Sequence, residues 1–188
     1  MNIFYVDEDP KIAATLLCDK HVVRMILESA QMLSTAHRIL DGVEVQTQSP
    51  SSRKKSVWML EDASMDNILY NATHMNHPSN VWVRESAYHY AWLYKHFIAL
   101  CDEYTKRYEK THKTDATLRR LLVDVPDNIK LKEFSPPPQA MPDEYKQNDT
   151  VEAYRAYYRA KFHEIDMRWK KTAKPEFMGW HFPPQSLY

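Results

Sequence analysis

The chain has 188 residues, of which 44% are hydrophobic and 27% are charged. This length fits one domain, 1–188, and no apolar run approaches the roughly 20 residues that a bilayer-spanning helix requires, so we expect no membrane segment. The 25 basic and 25 acidic residues cancel, which excludes binding of nucleic acid by overall positive charge and leaves local basic clusters for that role.

The N-terminal residues predict a short extended segment, 3–6, and not a signal peptide, because no basic region precedes a long apolar stretch. We therefore expect the protein to stay in the cytoplasm. Its two cysteines, Cys18 and Cys101, lie in helix-like stretches. Reduced cysteines that pack in a core are typical of that compartment.

Three long segments have the apolar periodicity of amphipathic helices: 9–42, with breaks allowed near residue 19, then 79–104 and 149–169. The first ends at Gly42, a typical C-terminal stop, and the last begins with Asp149 as a cap. From the three apolar stripes we predict core positions at Leu33, Leu93, Phe97, Tyr158 and Ile165.

The connections between these segments lack helical periodicity. We expect a mobile loop over 43–55, a shorter helix within 57–70 and an irregular proline-rich stretch at 135–138. Amphipathic helices bury their stripes most simply against one another. The sequence therefore predicts an all-α fold, a compact bundle of three long amphipathic helices with long loops and a short extended N-terminus. With only 2 glycines, Gly-rich phosphate loops are excluded.

A row of polar side chains recurs at spacings of three and four on the first predicted helix: His21, Arg24, Glu28 and Gln31. A carboxylate held by cationic neighbours is a suitable general acid or base. A solvated helix face with an ion pair between Arg24 and Glu28 has the same spacing. The row alone leaves both interpretations open.

The same helix carries a more specific pattern, in which Asp19 and His21 are followed by two apolar residues and then by Glu28. This pattern resembles the phage pyrimidine-dimer DNA glycosylase family (endonuclease V-like), small all-helical enzymes in which a helix-borne glutamate cleaves an N-glycosidic bond. The aromatic helix after residue 78, the turn at 141–144 and the aromatic ending at 169–180 have a similar order in that family. The resemblance implies a divergent branch of it.

By position, the resemblance implies that Glu28 is the catalytic carboxylate and that His21 contacts DNA. Asp19, Arg24 and Gln31 lie close by in the sequence and are expected to bind substrate with them. The resemblance also implies the cytoplasm as location, which is the host cytoplasm for a phage-encoded protein.

The family uses a free N-terminal amine as its nucleophile. Here the resemblance implies the amine of Met1, because Asn2 is large enough for Met1 to be retained. α-Amino groups titrate close to neutral pH and are therefore able to act as nucleophiles. The chain departs from the family pattern at Ile3 and Leu27, where the family has arginines, and at Gln31, where it has a further basic residue.

A histidine-rich run precedes the second helix and contains His74, His77 and Trp82. Two imidazoles three residues apart are able to share a metal ion, but no cysteine pair or histidine–glutamate motif supplies further ligands, so we predict no metal site. The free N–H groups of a helix start are a site for an anion, and an ordinary capped helix start is the alternative. We predict that all three side chains bind substrate.

Aromatic and basic residues near the C-terminus complete the candidate set. The rings of Tyr157, Trp180 and Phe182 lie outside the apolar stripes and are candidates to stack on an extruded base. Phosphates are expected to bind a basic strip that consists of Arg155, Arg159, Arg168 and Lys171.

These observations predict a DNA N-glycosylase, with or without lyase activity, that extrudes a damaged or modified nucleotide from duplex DNA and needs no cofactor. Two alternatives remain open. An enzyme that hydrolyses or transfers groups on a free nucleotide or hypermodified base fits the neutral net charge. A non-catalytic phage module that binds nucleic acid or protein fits the same aromatic and basic residues.

Overall fold

The computed structural model describes residues 1–48 and 54–179. In that part of the chain, seven α-helices and two β-strands follow in the order α1 (Pro10–Leu16), α2 (Asp19–Asp41), β1 (Val43–Gln48), β2 (Lys54–Met59), α3 (Ala63–Ile68), α4 (Pro78–Glu85), α5 (Ala87–Tyr108), α6 (Lys113–Leu118) and α7 (Thr150–Ala160). Short 3-10 turns lie at Asp143–Tyr145, Lys161–His163 and Glu176–Met178. The prediction of a mainly helical protein is confirmed. Within the described residues, no helix is long and apolar enough to cross a membrane.

The core lies where α2 and α5 pack against each other, with α1 against α5 and α4 against both long helices. Four of the five predicted core residues are fully buried, namely Leu33, Leu93, Phe97 and Tyr158. Ile165 is partly buried and packs at the margin. The helical periodicity therefore identified the apolar faces correctly.

The architecture is not a bundle of three uninterrupted helices. The first predicted helix is divided between α1 and α2, because the chain is extended at Leu17 and Cys18. The second is divided at Ser86, whose extended backbone ends α4 and whose hydroxyl caps α5. The Ser86 hydroxyl also donates to the carbonyl of Lys132 at 2.6 Å. This bond holds the connection between α6 and α7 against the break between α4 and α5.

The third predicted helix is shorter than expected. Asp149 caps α7, its carboxylate accepting the N–H of Glu152, but the helix ends at Ala160 instead of continuing to residue 169. Trp169 donates its indole N–H to the carbonyl of Leu16, which ties the following chain to the junction of α1 and α2. Phe162, four residues after Tyr158 within the predicted helix 149–169, is 39% exposed.

The predicted mobile loop at 43–55 is wrong for residues 43–48 and 54–55, because β1 and β2 pair there as an antiparallel hairpin; residues 49–53 lie outside the described residues. Its base is fixed by the buried Arg38 of α2, whose guanidinium donates to the carbonyls of Trp58, Tyr70, Asp66 and Leu69 and to the Asp66 carboxylate. The predicted helix within 57–70 is correspondingly short and is confined to α3.

The N-terminal segment forms neither helix nor strand, and residues 3–6 are buried. It is not extended throughout, as predicted, because the N–H of Val6 donates to the carbonyl of Phe4 in a tight turn. The Asn2 side chain holds it by accepting the N–H groups of Ile3 and Phe4 and donating to the carbonyl of Ala140. Phe4 has a left-handed backbone, with φ of 56°, a conformation uncommon for a bulky residue. The bond to Ala140 fixes the first residues against the connection between α6 and α7.

Candidate active site

A cavity of about 230 Å³ lies between the N-terminal segment, α2 and the end of α7. One wall comes from the first residues and from α2, and the other comes from α7 and the turn after it. The lining residues are Met1, Asn2, Phe4, His21, Arg24, Met25, Glu28, Tyr157, Lys161, Glu164 and Ile165. Four of the predicted site residues, Met1, His21, Arg24 and Glu28, thus share one cavity.

Glu28 is the carboxylate at the centre of this arrangement and is 8% exposed. Its Oε1 accepts the Nε–H of Arg24 at 2.8 Å, and its Oε2 accepts the backbone N–H of Asn2 at 2.9 Å. The Arg24 side chain is 70% exposed, at the mouth of the cavity. Each carboxylate oxygen therefore has a donor that orients it, and α2 supplies the rigid support.

The terminal nitrogen of Met1 lies 3.9 Å from Glu28 Oε2. The nitrogen of Asn2 is closer, at 2.9 Å, but it is an amide and not a nucleophile while Met1 is in place. Both distances follow from the way the Asn2 side chain turns the chain at residues 2–4. A carboxylate and an amine in one cavity are able to exchange a proton during a reaction.

His21 lies in the wall behind Glu28 and is held from two sides. Its ring stacks on Phe4 with centroids 4.7 Å apart, and its Nδ1 is 2.9 Å from the Tyr158 hydroxyl. Burial lowers the pKa of His21 to about 4, with a further lowering from the charge of Arg24. The imidazole is therefore neutral at physiological pH, which suits a hydrogen-bonding or positioning role better than a cationic phosphate contact.

The opposite wall places a cation and an aromatic ring beside the carboxylate. Lys161 Nζ lies 4.7 Å from the centroid of the Tyr157 ring and pairs with Glu164 at 2.6 Å. The rings of Tyr157 and Phe4 are stacked, with their centroids 6.2 Å apart. The cavity thus has flat apolar surface for a planar group as well as charge for a polar one.

His77 caps α4, its Nδ1 accepting the N–H of Ser79. Burial lowers its pKa, as do the positive charges of the N-terminal amine and of His74. His74 is exposed and hydrogen-bonds Thr73. In the described residues, no three His, Cys, Asp or Glu side chains gather as metal ligands. These histidines lie beside the cavity and do not line it.

Two other predicted site residues have structural contacts away from the cavity. Asp19 is buried, accepts from Arg107 at 3.2 Å and accepts the N–H of Lys170 at 3.1 Å. Trp82 is 3% exposed, stacks on His89 and donates to the Ser135 carbonyl. Both side chains stabilise the junctions between helices, and neither lines the cavity.

The predicted basic strip is not continuous on one helix, because α7 ends before its last two members. Arg155 donates to the carbonyl of Val6 and to Glu152, and Arg159 donates to the carbonyl of Phe177. Arg168 and Lys171 pair with Asp166 and Glu109, respectively. Gln31 is half-buried one turn beyond Glu28 on α2, and Trp180 and Phe182 lie outside the described residues.

Sequence reasoning missed part of the cavity. The size of Asn2 predicts only that Met1 is retained, whereas in the structure the nitrogen and side chain of Asn2 set the position of the first residues. No sequence pattern places Lys161 at the site, because it reaches the cavity only through the packing of α7 against the N-terminal segment. The ring of Tyr157, which the stripe analysis left outside the core, does line the cavity.

A buried carboxylate held beside the nitrogens of the first two residues, in a cavity with aromatic walls, defines an acid/base site for a small planar group. A sequence model described as pyrimidine dimer DNA glycosylase matches residues 1–116. The chain belongs to the pyrimidine dimer DNA glycosylase family. No curated protein and no solved structure matches it. The matched residues include Glu28 and its donors, whereas Tyr157 and Lys161 lie beyond them.

Proposed function

We propose that the protein is a DNA N-glycosylase that cleaves the N-glycosidic bond of one base of a pyrimidine dimer, with Glu28 as the catalytic carboxylate and the Met1 amine as nucleophile. The observation that carries this proposal is the contact of one buried carboxylate with the nitrogens of the first two residues, in a chain that belongs to a family of DNA glycosylases.

In the proposed reaction, the Met1 nitrogen attacks C1′ of the deoxyribose and the bond between C1′ and the base breaks. The base leaves with the bonding electron pair and takes up a proton. Glu28 accepts the proton that the amine loses and stabilises the positive charge that develops on the sugar. The closed-ring amine adduct then opens: the C1′–O4′ bond breaks, O4′ takes the proton held by Glu28, and a covalent imine forms between C1′ and the Met1 nitrogen. From this imine a lyase step removes a C2′ proton and eliminates the 3′ phosphate, and water then hydrolyses the imine to release the enzyme.

The other cavity residues have supporting roles in this proposal. Arg24 orients Glu28 from the mouth of the cavity and is exposed enough to meet a phosphate of the substrate. His21 fixes Phe4 by stacking, and Phe4 and Tyr157 supply flat surfaces for the extruded group. The cavity of about 230 Å³ is too small for a stretch of duplex, so the reacting nucleotide would have to leave the base stack to reach Glu28.

The test is base release from a duplex that contains a single cyclobutane pyrimidine dimer, compared with the undamaged duplex. Because the cyclobutane ring keeps the detached base joined to its neighbour, base release is scored at the dimer as the abasic sugar that breaks the strand in hot alkali. Borohydride in the reaction reduces an imine to a stable adduct, and peptide mapping identifies the nitrogen. An adduct on Met1 supports the proposal. An adduct on Asn2 shows that Met1 has been removed and assigns the nucleophile to the nitrogen nearest Glu28. Base release without an adduct refutes the amine step alone, and no base release refutes the glycosylase.

A second candidate is an enzyme that acts on a free nucleotide, which the net charge of zero favours. The same assay with free pyrimidine nucleotides separates the two, because only that enzyme releases base from the nucleotide in the absence of duplex DNA. Salt-dependent binding to the duplex without base release from either substrate identifies a non-catalytic module.

A further inference from the structure

The hairpin of β1 and β2 has two unlike faces and no buried residue in either strand. Residues that face each other across an antiparallel pair lie on the same side of the ribbon. The register therefore puts Glu44, Trp58, Gln46, Ser56, Gln48 and Lys54 on one face. The other face carries Val43, Met59, Val45, Val57, Thr47 and Lys55.

The first face has the chemistry of a nucleic-acid contact. It presents two amides, a hydroxyl, an indole, an ammonium group and, at the end nearest α2, the carboxylate of Glu44. The Gln46 amide donates to Ser56 at 2.7 Å and to Glu44 at 3.4 Å. Lys54 belongs to this face and its neighbour Lys55 to the other. Both are exposed at the end of the ribbon farthest from α2, and neither forms an ion pair within the described residues. The two ammonium groups, one on each side of this end, complement phosphates.

The ribbon is held at its base. Arg38 is 3% exposed, and it joins α2 to Trp58 of β2 and to the segment that contains Asp66. Leu60, just after β2, donates its N–H to the same carboxylate. The position of the ribbon relative to α2, and hence to Glu28, is therefore fixed by buried bonds and not by a flexible link.

The distance from the cavity fits a contact on flanking DNA. Glu28 and the end of α2 at Asp41 are thirteen residues apart, which is about 20 Å of helix. That length corresponds to about six base pairs of duplex. A two-stranded ribbon has the width that the major groove admits.

We propose that the ribbon formed by β1 and β2 is a second DNA contact, which grips the duplex about six base pairs or more from the nucleotide in the Glu28 cavity, with Lys54 and Lys55 on phosphates. The inference rests on the proposed function for its partner, duplex DNA. The competing occupant is a second copy of the chain on the other face, where Val43 is 69% and Met59 is 49% exposed.

The experiment compares Lys54→Gln/Lys55→Gln with Lys110→Gln/Lys113→Gln. The control removes two exposed lysines outside the ribbon that likewise form no ion pair with any residue the structure describes. Affinity for a 30-base-pair duplex with a central dimer is measured from low to high salt. Loss of two phosphate contacts should reduce the slope of log affinity against log salt concentration by about 1.8. The loss of affinity relative to the wild type should therefore be up to about 60-fold larger at 0.1 M salt than at 1 M. The control should bind as the wild type does. Far-ultraviolet circular dichroism checks that both variants fold.

A trimmed substrate tests the position of the contact. On a duplex with about four base pairs on each side of the dimer and its ends closed by loops, the ribbon should have no DNA to reach, because the estimated contact is farther away. Wild type and the ribbon variant should then bind equally. A difference that persists on the trimmed duplex overturns the proposed position.

Equal affinity of the ribbon variant and the wild type on the long duplex overturns the proposal. So does a fall in the sedimentation mass of the ribbon variant without a change in DNA affinity, which assigns the ribbon to a second copy. Base release by the wild type is scored separately. If the wild type binds DNA without releasing base, the proposed function fails while the ribbon is still tested by affinity. If it does not bind DNA, both fail.

Discussion

Replacing Glu28 by glutamine removes the charge from the cavity while keeping the shape of the side chain. The amide has one oxygen and therefore accepts from only one of the two donors that Glu28 now satisfies, Arg24 and the N–H of Asn2. The Asn2 N–H is buried and fixed, whereas Arg24 is 70% exposed and is able to turn into water. We expect the amide oxygen to face Asn2 and the bond to Arg24 to be lost.

The cost in stability should be small. One net hydrogen bond contributes about 1 kcal/mol, and for a chain of this size that corresponds to a fall in melting temperature of about 2–4 °C. The cost in activity should be much larger. A positioned acid/base group contributes at least about a hundredfold in rate, which is about 2.7 kcal/mol of transition-state stabilisation.

The assay is single-turnover base release from the dimer-containing duplex, with melting followed in the same buffer. Glu133→Gln is the matched control, because Glu133 is exposed in the connection between α6 and α7, and its rate should equal that of the wild type. Wild-type turnover by Glu28→Gln would refute the assignment of the carboxylate. A fall in melting temperature well beyond 4 °C with the loss of activity would show that Glu28 is structural.

Three further predictions concern the fold and its ionisation. Burial lowers the pKa of His21 to about 4, so its NMR signals should not titrate between pH 8 and 5; because protonation favours the unfolded chain, melting temperature should fall as pH drops from 6.5 toward 4. Leu33→Ala should cost about 2–5 kcal/mol in urea denaturation, whereas Leu131→Ala, at a position that is 74% exposed, should stay within about 0.5 kcal/mol. Arg38→Met should cost about 3–5 kcal/mol, because it leaves the carboxylate of Asp66 without its buried partner; unchanged denaturation would show that the hairpin base has another support.

The helical content and the core were predictable, because apolar spacing depends on burial along a single element. Leu93 and Phe97 illustrate this, since both lie on the inner face of α5. The breaks were not predictable in the same way. Ser86 continues the stripe by spacing, but its hydroxyl binds the carbonyl of Lys132, 46 residues away, and no local pattern contains that partner.

The hairpin was missed for a related reason. The stretch 43–48 is polar, and its alternation is weak because neither face is buried. The hairpin is held in place by Arg38 on the preceding helix, which binds the carbonyls of Trp58 and Leu69 across 20 and 31 residues of sequence. A buried arginine at the end of a helix has no sequence pattern that distinguishes it from a solvated one.

The candidate site was likewise predictable only in the part that lies on one helix. His21, Arg24 and Glu28 share one helical face, so their proximity follows from the geometry of α2. Asp19 lies on that helix too, but Arg107 of α5 holds it elsewhere. Lys161 and Tyr157 reach the cavity only because α7 packs across the N-terminal segment, an arrangement that depends on tertiary contacts such as the bond between Arg155 and Val6.

The two walls of the cavity are separated by more than a hundred residues along the chain, and this has a consequence for its synthesis. The N-terminal wall leaves the ribosome first, but the bonds that close the cavity wait for later residues, as with the Cys18 N–H and Tyr158 or the Asn2 amide and Ala140. Contacts of such sequence separation form late and slowly. A nascent chain would therefore carry an exposed amine without a working enzyme, and activity should begin only when the part of the chain that contains α7 has emerged.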